Sequence, residues 1–292
     1  MCCLFLAASS TVAIAQTSVV DLVNPIIGTN GMGHTFPGAC VPFGLVQLSP
    51  DTDTIPHNVD GKYQPRSYEY CAGYQHKDSS IVGFSHTHFS GTGHSDLGDI
   101  LIMPTTGTLK LNPGTATNPD GGYRSRFSHG TEISRPGYYE VMLTDYGVKA
   151  QLTTTQRVGI HKYTYPTNSE NQRIILDMIH GIYNYDGKVL WTNIRVENDT
   201  LVTGYRITNG WARTNYTYFA MSFSKPITHY GCEEKAKVNY RGGYAKFNMK
   251  ENFPNIGGRK IVAYFDFDPK TSDELEVKVA LSGVSTEGAL KN

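Results

Sequence analysis

The sequence has few charged residues and no excess of either sign. Charged residues make up 18% of the 292 residues, with 26 basic and 26 acidic side chains. Lysine and arginine are scattered along the chain, so it has no basic stripe that could neutralise a phosphate backbone. With 39% hydrophobic residues, the composition is typical of a globular chain. These features exclude a disordered tail, and we expect no nucleic acid partner.

Several catalytic and binding motifs are also missing. The sequence contains no CxxC pair, no GxSxG motif and no GxxxxGK motif. Their absence removes the main support for a zinc ribbon or thioredoxin-like site, a serine hydrolase and a nucleotide-binding loop. Cysteine is scarce too: beyond residue 15 the chain carries Cys40, Cys71 and Cys232. An odd number this small permits one disulfide and excludes a disulfide scaffold.

No apolar run of the mature chain is long enough to cross a membrane as a helix. The first fifteen residues read MCCLFLAASSTVAIA and end on the small-x-small pattern that a signal peptidase cleaves. We therefore predict a signal peptide over residues 1–15, although the charged start of such a leader is absent. The expected location is periplasmic or extracellular, in a bacterium. The alternative is a buried N-terminal strand or helix.

Abundant turn formers and tyrosines favour strands over helices. The chain has 30 glycines, 14 prolines and 19 tyrosines. Up to about residue 103 it reads as long loops between short strands, and beyond residue 138 apolar and polar residues alternate with the period of a strand. The predicted strands lie near residues 139–143, 148–152, 173–180, 190–196, 201–205, 216–223, 238–249, 261–267 and 275–281. We expect an all-β fold, an antiparallel β-sandwich with long loops over residues 16–284.

In the last eight residues, the strand-like alternation gives way to a pattern typical of a helix start. Ser285 is a candidate helix cap, and Glu287 lies in the acidic first turn that follows it. Residues 285–292 are therefore predicted to begin a linker or helical domain that is cut short.

The densest polar segment is GFSHTHFSGTGHSDLGD, residues 83–99. In a strand, His86 and His88 would point to the same face and could meet one ligand or metal ion. Asp96 and Asp99 could add oxygen ligands, but two oxygens are too few for calcium, and the metal ligands stay unknown. The alternative is that these side chains tie down glycine-rich loops through hydrogen bonds.

Tyrosines crowd around Cys71 and Gly73, where Tyr68, Tyr70 and Tyr74 lie within seven residues. Aromatic faces with polar tips suit sugar rings, so a carbohydrate surface is one interpretation. The other is that these tyrosines fill the core and rim of a sandwich, as we expect of Trp191 and Trp211.

Seven segments of the chain together resemble the N-terminal domain of family 92 glycoside hydrolases. They are Asp21–Thr29, Phe36–Ala39, Pro42–Thr52, Cys71–Tyr74, Gly83–Gly93, Ser95–Ile100 and Gly283–Ala289. Members of that family are exo-acting α-mannosidases that trim mannose from N-glycans and mannans, and many are calcium-dependent and inverting. The resemblance implies a β-sandwich followed by a C-terminal (α/α)6 barrel, with the active site between the two.

The resemblance also implies where the chemistry lies. The catalytic acid and base of the family are carboxylates of the helical domain, so we expect no catalytic residue in this chain and no calcium ligand that can be named in it. We expect the loops of residues 68–74 and 86–99 to form one wall of the sugar pocket. The candidate substrate-binding residues are Tyr68, Tyr70, Cys71, Gly73, Tyr74, His86, His88, Ser90, Gly91, Thr92, Asp96 and Asp99.

Two other functions stay open. One is a stand-alone carbohydrate-binding module, and the other is a metal hydrolase that uses His86, His88 and Asp96. For the pocket wall, we expect these three side chains to cluster with Tyr74 or Cys71 at one edge of the sandwich.

Overall fold

A computed structural model describes residues 18–53, 55–91, 96–182, 184–236 and 254–292. The predicted leader, the candidate residue Thr92 and the predicted strand near residues 238–249 lie outside these ranges.

Strands dominate the described residues. They are β1 (Ala39–Cys40), β2 (Gln47–Asp51), β3 (Asn58–Val59), β4 (Lys62–Tyr63), β5 (Ser80–Ile81), β6 (Gly83–Ser85), β7 (Leu101–Thr105), β8 (Ser125–Arg126), β9 (Ile133–Arg135), β10 (Tyr138–Leu143), β11 (Val148–Thr154), β12 (Val158–Thr164), β13 (Gln172–Asp177), β14 (Val189–Asn198), β15 (Leu201–Thr208), β16 (Asn215–Phe223), β17 (Ile227–Glu234), β18 (Asn255–Gly258), β19 (Ile261–Phe267) and β20 (Glu274–Ser282). Short 3-10 helices form at Val19–Leu22, Pro65–Tyr70, Pro119–Gly121 and His129–Thr131.

Two large antiparallel sheets form the sandwich. One has the order β1-β2-β6-β7-β13-β19-β17, and the other has the order β18-β14-β15-β16-β20-β12-β11-β10-β9. Side chains from both sheets join in one buried apolar core, which includes Phe84 and Ile175 from the first sheet and Val141 and Val277 from the second. The all-β sandwich expected from the sequence is confirmed.

Alternation of burial explains why the predicted strands form. In β10 and β11, every second side chain is buried, including Tyr139, Val141, Ala150 and Leu152. Strand β13 is buried along its whole length, and the apolar residues 174–176 lie at its centre. Burial of these side chains contributes about 25 cal/mol for each Å² of apolar surface removed from water.

The chain continues past β20 into a short helix, α1 (Thr286–Leu290). The Ser285 hydroxyl accepts a hydrogen bond from the backbone N–H of Gly288 at 3.0 Å, as the predicted cap requires. Helix α1 contacts β15, β16 and β20. Ser282, at the end of β20, pairs with Tyr218 near the start of β16, so α1 lies at the end of this sheet where β15 connects to β16.

Within the described ranges, no helix has the length and apolar character needed to cross a membrane.

Candidate functional site

Several loops meet at the end of the sandwich and form what we call the loop cluster: residues 68–74, 86–91, 96–99, 178–182 and 209–211. Cys71 and Ile182 are buried against each other, and Leu97 packs on them. The backbone N–H of Ile182 donates to the carbonyl oxygen of Leu97 at 2.8 Å. Three loops from distant parts of the sequence are therefore joined by apolar packing and a backbone hydrogen bond.

A buried carboxylate lies beneath this cluster. Asp51, at the end of β2, accepts hydrogen bonds from His88 Nε2 at 2.8 Å and from His180 Nε2 at 2.7 Å. Asp51 and the imidazole of His88 are inaccessible to solvent, and His180 is nearly so. Because an uncompensated buried carboxylate is costly, the two imidazoles are what make this position tolerable.

Further hydrogen bonds hold His88 and His180 in place. His88 Nδ1 lies 2.8 Å from the carbonyl oxygen of Gln47, so that nitrogen carries a proton and donates it to the carbonyl. The His180 backbone N–H donates to the Asp177 carboxylate at 3.1 Å, which fixes the turn after β13. Burial acts to raise the pKa of Asp51, but the charges and hydrogen bonds of His88 and His180 outweigh burial and hold the pKa well below its usual value.

Gly73 lies directly on Asp51. Its φ of +79° is in the left-handed region, and a Cβ built there would lie 1.9 Å from Asp51 Oδ1. Its carbonyl oxygen accepts a hydrogen bond from the Thr52 backbone N–H at 2.9 Å. Only glycine satisfies both the backbone angle and the contact distance, so the 71–73 turn and the buried carboxylate form one unit.

A second buried ion pair supports the other side of the cluster. Asp99 Oδ1 lies 2.8 Å from an Arg206 side-chain nitrogen, and Asp99 Oδ2 accepts from the Thr87 hydroxyl at 2.8 Å. Arg206 also donates to the His180 carbonyl oxygen, and Lys188 donates to the Ile182 carbonyl oxygen. Burial, followed by the nearby Arg206 charge, lowers the pKa of Lys188 to about 7. Both Asp99 oxygens therefore lie close to groups inside the protein, although the approach of Arg206 to Oδ1 lacks hydrogen-bond geometry.

His86 points away from the loop cluster and into the sandwich. Strand β6 ends at Ser85, so the strand geometry that would align His86 with His88 stops before either residue. His86 Nδ1 donates to the Ile100 carbonyl oxygen at 2.6 Å, and His86 Nε2 lies 2.9 Å from His161 Nε2, whose Nδ1 meets the Tyr163 hydroxyl at 2.8 Å. Burial lowers the pKa of His86 to about 4, so this imidazole chain is neutral. The expected pairing of His86 and His88 on one ligand is wrong.

The three candidate tyrosines also have different partners and do not form one surface. The Tyr74 hydroxyl donates to Glu132 at 2.9 Å. The Tyr70 hydroxyl donates to Asp78 at 3.2 Å. Tyr68 is partly exposed and meets His34 edge to face, with ring centroids 4.7 Å apart. Of the side chains expected to cluster, those of Tyr74 and His86 therefore have their partners elsewhere, although both residues belong to segments of the loop cluster.

The remaining predicted residues lie at the surface of the cluster. Ser90 and Gly91 are exposed, and the Gly91 backbone N–H donates to the His34 carbonyl oxygen at 2.8 Å. The Asp96 carboxylate accepts from the Trp211 backbone N–H at 2.9 and 3.1 Å. His86, His88 and Asp96 have different partners, so they do not form the ligand set of a metal hydrolase.

Three exposed aromatic side chains surround the cluster, and we call them the aromatic rim: Tyr68, Phe89 and Trp211. They are 37%, 55% and 82% exposed. Each is connected to a residue of the loop cluster. Tyr68 precedes Cys71 by three residues, and Phe89 follows His88. The Trp211 backbone N–H donates to the Asp96 carboxylate. Trp211 is thus a rim residue and does not belong to the core.

His34 is a site residue that the sequence reading missed. It is 7% exposed and its Nε2 has no hydrogen-bond partner among the described residues. Its φ of +52° is an uncommon backbone conformation for a residue other than glycine. Buried polar atoms are normally hydrogen-bonded, so this ring nitrogen, next to the partly exposed Tyr68, marks His34 as a candidate site residue.

A cavity of about 480 Å³ adjoins the buried carboxylate and includes His180 in its wall. Arg124 and Asp53, an ion pair 3.0 Å apart, and Asp177 add polar groups to its lining. The cavity has a size that suits small ligands. His34, His180 and Arg206 lie outside the seven segments that carry the family resemblance, and they reach the site only through the fold.

The potential metal-ligand cluster of the described residues differs in its ligand types from a calcium site. Ca²⁺ takes six to eight oxygen ligands. Within the described ranges, the three-residue group with ligand atoms close enough for one metal ion is His76, His129 and Glu132, which offers two nitrogens and one carboxylate. Within the same ranges, Cys40, Cys71 and Cys232 form no disulfide.

Comparisons with known proteins identify the family. Residues 22–282 match the glycosyl hydrolase family 92 N-terminal domain. A curated relative, an uncharacterized secreted glycosidase of Arthroderma benhamiae, is 28% identical over 170 residues, which cover 55% of this chain and 19% of the relative.

Solved structures agree with that match. A family GH92 alpha-mannosidase from Bacteroides thetaiotaomicron, in complex with mannoimidazole, is 40% identical with a TM-score of 0.80 over 94% of this chain and 33% of its own. A family GH92 inverting mannosidase from the same organism is 26% identical with a TM-score of 0.70, over 95% of this chain and 33% of its own. The chain thus spans about a third of the length of these structures. It belongs to glycosyl hydrolase family 92, and residues 22–282 are its N-terminal domain.

Proposed function

We propose that this chain is the substrate-recognition and scaffolding domain of an exported, inverting α-mannosidase that acts on mannose-containing N-glycans or mannans. The observation that carries the proposal is the pairing of an unpartnered, buried His34 Nε2 with the exposed ring of Tyr68. An imidazole nitrogen can bond a sugar hydroxyl while an aromatic face stacks on the apolar side of the ring. The mannosidases among the solved relatives make mannose the sugar to test.

The buried network acts as a frame for these groups. Asp51 connects His88, which precedes Phe89, to His180 and the turn at Gly73. Asp99 and Arg206 hold the loop that carries Asp96 and, through it, Trp211. Rigid support of this kind keeps binding groups in register with a ligand.

Catalysis is assigned elsewhere in the proposed enzyme. An inverting glycosidase needs two carboxyl groups roughly 6.5–9.5 Å apart with a water molecule between them. In the loop cluster, the carboxylates of Asp51, Asp96 and Asp99 are all taken up by hydrogen bonds or an ion pair within the chain. We therefore propose that a C-terminal (α/α)6 domain supplies the catalytic pair and the ligands for calcium. The binding role assigned to this chain does not require calcium.

Export is part of the same proposal. The leader-like residues 1–15 and the secreted curated relative support it. A periplasmic or extracellular location would place the domain where polymeric mannosides occur.

The test is release of mannose from α-1,2-mannobiose by the 292-residue chain, with binding of the disaccharide measured by calorimetry alongside. We expect no turnover and at most millimolar binding, because one wall of a pocket provides few contacts. Fast turnover would contradict the proposal by showing that the catalytic pair lies in this chain. Tight binding without turnover would instead support the stand-alone carbohydrate-binding module.

A further inference from the structure

A cluster of three potential metal ligands lies outside the loop cluster. His76 follows the 71–74 segment, His129 is the first residue of the 3-10 helix between β8 and β9, and Glu132 follows that helix. One ring nitrogen of each histidine and one carboxylate oxygen of Glu132 lie within 4.8 Å of one another. The two imidazole rings have centroids 4.0 Å apart and are tilted by 37°. Two segments separated by more than fifty residues thus bring three ligating atoms to one point.

The carboxylate of this cluster is fixed in orientation. Glu132 Oε1 accepts from the Tyr139 hydroxyl at 2.6 Å and from the Tyr74 hydroxyl at 2.9 Å. Glu132 Oε2 lies 2.8 Å from His129 Nδ1, and the Glu132 side chain is only 3% exposed. Outer hydrogen-bond donors that orient a ligating carboxylate are a regular feature of protein metal sites. The site is therefore preorganised on its oxygen side.

The ligand types select the ion. Two imidazoles and one carboxylate suit zinc and neighbouring transition metals, whereas calcium and magnesium prefer oxygen alone. The imidazole of His129 is 37% exposed, which leaves room for water at a fourth position. We propose that His76, His129 and Glu132 bind one divalent transition-metal ion, with zinc the first to test, and that the ion ties the 71–76 segment to the 128–132 turn.

Such a site would act on the loop cluster through the backbone. Gln75 lies between His76 and the Gly73 turn, and its side-chain nitrogen donates to the Gly31 carbonyl oxygen at 2.9 Å. The His76 backbone N–H donates to the Thr29 carbonyl oxygen at 2.8 Å. Fixing His76 would therefore restrain the segment that bears Gly73 and Cys71. The role is structural and separate from the proposed mannose site.

The test is equilibrium dialysis of the chelator-stripped chain against micromolar ZnCl₂, with metal content read by mass spectrometry and melting temperature measured in parallel. We expect one zinc ion per chain and a higher melting temperature with zinc. His76→Gln and His129→Ala should each lower affinity at least 10-fold, the effect typical of a lost ligand. His57→Ala, at an exposed histidine outside the cluster, is the matched control and should bind zinc as the parent does.

Circular dichroism of each variant without metal confirms that it is folded, and both ligand substitutions are at positions that are at least partly exposed. Less than about 0.2 zinc per chain in the parent would overturn the proposal. Unchanged affinity in both ligand variants would also overturn it. A calcium arm under the same conditions is expected to show no bound ion, and stoichiometric calcium would contradict the ligand assignment.

Discussion

Replacing Asp51 by asparagine tests whether the buried carboxylate holds the loop cluster together. The Asp51 carboxylate accepts from His88 Nε2 at 2.8 Å and from His180 Nε2 at 2.7 Å, and all three groups are buried. An asparagine keeps one acceptor but turns an NH₂ group towards the other imidazole. One buried donor then loses its partner, and the ionic compensation between the carboxylate and the imidazoles is lost.

Breaking a buried charged pair from one side costs about 3–5 kcal/mol, and the retained acceptor places Asp51→Asn near the lower figure, about 3 kcal/mol. That is a large share of a total stability of roughly 5–15 kcal/mol. At about 2–4 °C per kcal/mol for a large domain, the melting temperature should fall by about 6–12 °C. Thermal unfolding followed by circular dichroism measures it.

The control is Asp120→Asn, which removes a carboxylate from an ion pair with Arg126 on the exposed surface. Exposed pairs contribute little, so its melting temperature should match that of the parent. Equal effects of the two substitutions would refute the argument that burial makes the Asp51 network strong.

The dependence of stability on pH below about pH 4 is a second check. Because the folded-state pKa of Asp51 is held below its usual value, its contribution is present above about pH 4 and is lost as the pH falls further, and the variant should lack this loss.

Three further predictions concern single residues. Gly73→Ala should destabilise the chain by more than 1 kcal/mol, because it combines a left-handed φ with a Cβ 1.9 Å from Asp51; chemical denaturation that shows no change would refute the contact. The pKa of His86 falls from 6.5 to about 4 on folding, so stability should be full above pH 6.5 and decrease by about 3 kcal/mol towards pH 4; urea unfolding across that range checks it, and a flat profile would contradict a neutral His86. In the complete enzyme, His34→Asn, which tolerates the same φ, should lower kcat/KM for α-1,2-mannobiose by about 10-fold with an unchanged melting temperature, whereas unchanged kinetics would remove His34 from the site.

The sandwich was predictable where the buried face of a strand is apolar. Strands β10 and β11 show an apolar face at every second residue, and β13 has the apolar residues 174–176 at its centre. Strand β12 escaped prediction because its buried positions are Gly159, His161 and Tyr163, which carry no apolar alternation. Strand β17 escaped because it lies at the edge of its sheet and stays half-exposed along most of its length.

The candidate site was predictable in part, for a related reason. Cys71, Gly73 and His88 belong to segments whose composition marks them as ordered loops, and these segments do meet. Asp51, which contacts Gly73 and His88, is 129 residues from His180, and only the fold brings these two residues together. The spacing of His86 and His88 predicted a shared face wrongly, because β6 ends one residue before His86. Local periodicity predicts faces only as far as the strand extends.

The most direct measurement of the central claim is the steady-state kinetics of the complete enzyme with Tyr68→Ala and Trp211→Ala, separately and together, on α-1,2-mannobiose. Trp191→Ala is the matched control, since Trp191 is a 42% exposed aromatic outside the aromatic rim. If this domain recognises the sugar, each rim variant should raise KM by about 10-fold or lower kcat/KM by a similar factor, with an unchanged melting temperature. Trp191→Ala should behave as the parent. Rim variants with parental kcat and KM would contradict the claim that the loop cluster forms a wall of the mannose site.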